Sequence, residues 1–177
     1  MGAADEPVEV VDASGAVERV VTRAAMRAGN LRHRTVYVAV TTSAGALVVH
    51  RRADDKDVWP GRWDVAFGGV AGVGEPWVDA ARRELAEEAG AVVGPAALVD
   101  RGGGSYADAD VAVAGRVFTV VHDGPFTCPD GEVAELALVP PGGLAAWLDR
   151  HDVCPDSRAL VVPRLGMSRA TPGSPGG

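Results

Sequence analysis

The chain has 177 residues, 47% apolar and 23% charged, the balance of one globular domain with a sizeable core. Its net charge of −7, with sixteen arginines and one lysine (Lys56), argues against extended nucleic acid as a partner. No apolar run approaches the roughly 20 residues of a membrane span, residues 1–6 carry neither a signal-peptide nor a myristoylation pattern, and two cysteines, Cys128 and Cys154, point to a reducing, cytoplasmic setting without a disulfide framework.

In chain order, residues 1–6 are expected to be disordered and 7–168 to form the domain. Strand patterns at 7–11 and 17–22 flank an Asp12-Ala13-Ser14-Gly15 turn. A short helix runs from Arg23 to Gly29. Residues 35–42 and 46–52 read as strands joined at Ser43-Ala44-Gly45. A polar loop over 53–63 and a short strand over 64–67 lead into Gly68-Gly69. The main helix opens at Glu75-Pro76, buries Trp77, Ala81, Leu85 and Ala89 at i+4 spacing, and stops at Gly90. Strands are expected near 92–100, 109–114, 116–122 and 134–139, with helices over 141–150 and 156–162, the second halted by Pro163. Residues 169–177, rich in proline and glycine, are expected to be a disordered tail. Strands on both sides of one central helix, with a C-terminal helix, predict an α+β layered domain with a mixed sheet.

One run carries the chemistry: Gly69, Glu75, Arg83, Glu84, Leu85, Glu87, Glu88 and Gly90, spaced G-x5-E-x7-R-E-L-x-E-E-x-G. At about 100° per residue, Glu87 and Glu88 fall about 60° and 40° to either side of Glu84, on one narrow stripe. Like charges at i,i+3 and i,i+4 repel, and a hard cation such as Mg²⁺ or Mn²⁺ between them removes that penalty. A charged helix face is usually only a solvated one. The full spacing decides against that here, because eight fixed letters recur by chance about once in a billion positions.

On these residues the chain resembles the Nudix family, whose box spans 69–91; Ala91 fills the last place with a smaller side chain than usual. The resemblance implies an α/β/α sandwich with a mixed β-sheet, to which the sequence adds an N-terminal β-hairpin. Leu31-Arg32-His33-Arg34, Arg51-Arg52, Lys56 and Trp59-Pro60-Gly61-x-Trp63 look like the isopentenyl-diphosphate-isomerase-like branch of that family. Gly68 and Val70 stand where true isomerases carry a catalytic cysteine and a metal-binding histidine, so acid–base isomerisation has no side chain to run on.

The resemblance then implies a Mg²⁺-dependent hydrolase, with Mn²⁺ as the alternative ion, cleaving a phosphoanhydride in a nucleoside diphosphate linked to another moiety. Competing readings are an isomerase-like protein and a non-catalytic nucleotide sensor. The expected metal ligands are Glu84, Glu87, Glu88 and the main-chain carbonyl of Gly68. Catalytic candidates are Glu87, Arg83 (which ties loop to glutamates) and Glu135, preferred over Glu132 as the further carboxylate because a strand holds it. Glu75 is expected to partner Arg83 or the nearby backbone. Arg52, Lys56 and Arg62 are the expected substrate-binding cations, since arginine's planar fork suits phosphate. His33 and the tryptophans Trp59 and Trp63 are read as structural. The partner is a small diphosphate, and a homodimer is left open.

Overall fold

The computed structural model describes residues 2–166, so the tail expected over 169–177 lies outside the described residues. The strands of the described residues form one mixed sheet. A hairpin of β1 (Pro7–Val11) and β2 (Val17–Thr22) leads through α1 (Arg23–Ala28) into β3 (His33–Thr41), the sheet's spine. β3 pairs in parallel with β7 (Ala112–Val121) along its whole length and antiparallel with β4 (Leu47–Arg52) near its end. β4 in turn pairs with β5 (Trp63–Asp64) and β8 (Val133–Val139), and β6 (Val99–Ala107) flanks β7. The hairpin joins the sheet through Val10 opposite His33.

β3 is buried on both faces, which explains its unbroken apolar run. Val36, Val38 and Val40 face α2 (Trp77–Ala89), where they meet Ala81, Leu85 and Ala89. Tyr37 and Ala39 face the opposite layer with Trp147, Leu148 and Leu160, from α3 (Leu144–Leu148) and α4 (Pro155–Leu160). This period-2 split makes the sandwich. Gly90 ends α2 in the left-handed conformation (φ 70°) that glycine takes without a Cβ penalty. Pro76 serves as its N-cap, just ahead of the first helical residue.

Four expectations are corrected. Residues 92–98 are not a strand: Gly94-Pro95 sets a 3-10 turn at Pro95–Ala97, and β6 begins only at Val99. β6 then runs through Gly102–Gly104, where a Cβ on Gly103 would lie 2.9 Å from the Gly115 carbonyl oxygen. The strands expected at 109–114 and 116–122 are one strand, β7. Gly115 does not break it but clears room for Tyr37 and Leu160, whose atoms lie 2.9 and 2.8 Å from where its Cβ would be. Residues 1–6 were expected to be disordered, yet Ala3–Asp5 form a 3-10 turn, and Glu6 pairs with Arg23 at 2.6 Å. The two C-terminal helices are shorter than expected, and Pro163 sits within a 3-10 turn, Val162–Arg164.

Candidate active site

The loop after β5 lies along β3, with Val38 N–H donating to Phe67 C=O (2.7 Å) and Val36 N–H to Gly69 C=O (2.9 Å). That seats Gly68-Gly69 directly against α2. A Cβ on Gly69 would stand 2.6 Å from Glu84 Oε2, and one on Gly68 would stand 2.0 Å from the Val36 carbonyl oxygen. Gly68 is therefore required by close approach to backbone, whereas Gly69 leaves room for the Glu84 carboxylate where it now lies. Gly68→Ala is expected to cost about 2–4 kcal/mol, a Tm fall on the order of 5–15 °C by calorimetry. An unchanged Tm would mean that the backbone yields there.

Gly68 N–H donates to Glu88 Oε2 at 2.8 Å. The Gly69 carbonyl is taken by Val36, whereas the Gly68 carbonyl accepts no hydrogen bond from the described residues. Of the two glycines, Gly68 thus keeps a free acceptor. Glu84 and Glu88 are buried, and Glu87 is exposed. Burial, then the Glu84 charge, pushes the Glu88 carboxyl well above the ordinary carboxylate range. Burial also raises Glu84, with the charge and hydrogen bond of Arg83 opposing it.

Arg83 organises this corner. Its guanidinium forks onto Glu75 at 3.0 and 2.9 Å, reaches Glu84 at 2.7 Å and Glu87 at 3.1 Å, and donates to the Val70 carbonyl at 3.2 Å. Glu75 also accepts from Gly72 N–H at 2.7 Å, so it binds both the arginine and the backbone. Arg83 is accordingly a positioning residue. It draws Glu84 and Glu87 to itself, and as the side chains stand, no three acidic, histidine or cysteine groups among the described residues converge on one metal position. Chemically the donors still suit a hard divalent cation: closely spaced carboxylates, two of them buried and disfavoured as bare anions, beside a free carbonyl.

A polar cavity of about 850 Å³, within the usual size for ligand sites, opens over this corner. Glu84, Glu87, Glu88 and Gly68 line it, as do Arg52 and Lys56. Arg62 does not; it pairs with Asp152 at 3.1 Å, away from the cavity. Glu132 lines the cavity and is ion-paired to Lys56, whereas Glu135 is exposed outside it, 3.7 Å from Arg51. The strand period explains the second. Glu135 stands opposite Arg51 in the β4–β8 register, on the face away from the cavity, while the next residue, Arg52, turns inward. His33 is buried, donates from Nδ1 to the Leu31 carbonyl (2.9 Å), and is driven by burial down to about 4. It also touches the cavity wall, as do Arg23 and Arg27 of α1, Tyr37, Asp64 and Asp156. Sequence spacing does not reveal these, because α1 and α4 reach the cavity only through the tertiary fold.

The mixed sheet between helices thus sets the glutamates of one helix at a polar cavity. The NUDIX domain model matches residues 31–159, and the chain belongs to the Nudix family. It is 36% identical over 161 residues to the uncharacterized Nudix hydrolase YfcD of Escherichia coli K12, covering 90% of this chain and 87% of that one. It is 35% identical over 186 residues to the uncharacterized Nudix hydrolase SCO1686 of Streptomyces coelicolor, covering 99% and 98%. The fold matches DR0079 of Deinococcus radiodurans with a TM-score of 0.70 at 23% identity, covering 87% of this chain and 96% of that one. It also matches the NUDIX domain of Shewanella oneidensis NrtR, solved with ADP ribose, with a TM-score of 0.57 at 17% identity, covering 78% and 94%. The chain is a Nudix hydrolase acting on pyrophosphate bonds, and no helix of its described residues is long and apolar enough to cross a membrane.

Proposed function

We propose that this protein is a Mg²⁺-dependent hydrolase of a nucleoside diphosphate linked to another moiety, working in the cytoplasm on a small molecule. The observation that carries the reading is the pair of buried carboxylates, Glu84 and Glu88, packed against Gly68-Gly69 in a cavity they share with Arg52 and Lys56. Glu84, Glu87, Glu88 and the Gly68 carbonyl would hold the metal. Bound there, a divalent ion neutralises phosphate charge and lowers the pKa of an attacking water. Arg52, whose Nε donates to the Val58 carbonyl at 3.1 Å, and Lys56 supply positive charge for the diphosphate. The test is release of the two phosphomonoesters, read as phosphate after alkaline phosphatase, from a panel of diphosphates, ADP-ribose among them given the ligand of the NrtR domain, with and without Mg²⁺. Metal-independent release, or none from any member, sinks the proposal.

Glu132 is the proposed general base, in preference to Glu135, because it lines the cavity and Lys56 fixes its position. Glu132→Gln is expected to lower kcat about 10²–10⁴-fold with KM little changed, since its proton moves only in the transition state. Glu135→Gln should stay near wild type. The reverse pattern in steady-state kinetics returns the role to Glu135.

A further inference from the structure

The cavity has a second polar end. Asp64 ends β5, and Asp156 opens α4, 92 residues on by the numbering. They meet because Val153 bridges Trp63 in parallel and Cys154 N–H donates to the Trp63 carbonyl at 2.8 Å. Tyr37, on the same layer, donates its hydroxyl to Asp156 at 2.6 Å, and Ser157 N–H donates to the other Asp156 oxygen at 2.7 Å. Asp64 accepts from Ala66 N–H at 3.2 Å. Tyr37, Asp64 and Asp156 are all buried, and all line the cavity.

Two features of this end are unbalanced. Neither carboxylate has a lysine, arginine or histidine nitrogen within 4 Å among the described residues. Buried carboxylates are ordinarily paired, because an uncompensated charge in an apolar surrounding is strongly disfavoured. Burial and the neighbouring Asp64 charge accordingly raise Asp156 above the ordinary carboxylate range. Independently, Thr35 lies two residues before Tyr37 on the same face of β3 and lines the same cavity. It is only 7% exposed, yet its Oγ1 has no hydrogen-bond partner among the described residues. A buried hydroxyl without a partner is uncommon and asks for one.

We propose that Tyr37, Asp64, Asp156 and Thr35 form a recognition subsite for an amino-bearing group on the non-phosphate part of the substrate. An amino group supplies the cationic or polarised donor that neither carboxylate has beside it and the partner that the Thr35 hydroxyl lacks. The inference rests on the diphosphate reading and narrows it: the substrate carries diphosphate toward Glu84 and Glu88 and a nitrogen donor toward Asp156. The same chemistry comes from a nucleobase edge or from an aliphatic amine. A site built around such donors discriminates steeply against an analogue that lacks them, because its own polar groups are then left unpaired.

Calorimetric binding in calcium, where turnover is not needed, tests this with two matched pairs. GDP and IDP differ in the purine 2-amino group; CDP-ethanolamine and CDP-choline differ in the donors on an aliphatic nitrogen. The expected result is at least about tenfold tighter binding of the donor-bearing member of one pair, and the pair that responds identifies the source of the amine. Asp156→Asn keeps an acceptor for Tyr37 while removing the charge, and should reduce the difference below about threefold. Asp64→Asn serves in its place if the first variant fails to fold. Equal binding of both members of both pairs overturns the subsite, as does a preference that survives in both variants. A Tm loss without any change in preference also overturns it, leaving the carboxylates as fasteners of α4. If no diphosphate binds wild type at all, the diphosphate reading itself has failed, and the subsite falls with it.

Discussion

Replacing Glu88 by glutamine is expected to lower kcat on order of 10³-fold, about 4 kcal/mol of transition-state stabilisation, while leaving the protein at least as stable. Glutamine keeps the length of the side chain and an oxygen for the Gly68 N–H, so the loop after β5 stays seated. What it removes is a ligand charge at the proposed metal position. Stability should hold or rise, because in the wild type that charge sits buried beside Glu84 and is disfavoured there. The combination is diagnostic: a structural glutamate would lose stability and keep kcat. The same burial gives a pH dependence with a defined sign. Carboxyls raised above their ordinary value hold protons at mildly acidic pH, and a metal must displace them. Apparent Mg²⁺ affinity should therefore climb as pH rises from mildly acidic to neutral, with protons released on binding. Full activity of Glu88→Gln on a substrate that wild type hydrolyses would falsify the metal assignment.

The box was legible because its spacing is a direct image of its geometry. Three glutamates within one turn and a half can only face one side of a helix, and Gly90 can only mark its end. The layered fold followed from strands on both sides of one central helix and from the resemblance of the box, and the burial of β3 on both faces gives its physical reason. Glycine misled elsewhere, since it marks a turn and a close approach with the same letter. At Gly103, Gly104 and Gly115 it serves close approach inside strands, while Gly102 (φ 89°) sits at the irregularity between Asp100 and Gly103. Glu135 faces away from the cavity because of its register with β4, while Glu132 stands just ahead of β8, beside the irregularity between Arg51 and Arg52. Local sequence holds no record of a cross-strand register. The meeting of Asp64 with Asp156 was invisible for the same reason.

The N-terminal hairpin is expected to be fastened to the active-site loop by one buried ion pair, and breaking it should cost about 3–5 kcal/mol. Glu9 on β1 accepts from Arg34 at 2.7 Å and from Gly74 N–H at 2.9 Å. Arg34 also donates to the Glu75 carbonyl at 2.8 Å, and its guanidinium lies 4.1 Å from the centre of the Trp77 ring. These contacts gather β1, β3, the loop at 72–75 and the first residue of α2 around one pair. Glu9→Ala leaves the Arg34 charge buried without its carboxylate, which is the costly way to break such a pair. Replacing both, as in Glu9→Leu with Arg34→Met, should recover much of the loss, and urea unfolding of the four proteins reads the coupling directly. The pH dependence separates this pair from the metal-site carboxyls. Burial alone would raise Glu9, but the Arg34 and Gly74 hydrogen bonds and the Arg34 charge together hold it below its ordinary 4.5. A lowered folded value means that its contribution is present above about 4.5 and is lost as pH falls through the folded value. The gap in unfolding free energy between wild type and Glu9→Ala should therefore be wide at pH 7 and narrow at pH 3. A gap that stays constant across that range would mean that Glu9 acts through packing rather than through its charge. Because Glu75 both receives Arg34 at its carbonyl and grips Arg83 with its carboxylate, the Glu9 variant should also loosen the glutamate corner and lower activity at temperatures where the protein is still folded.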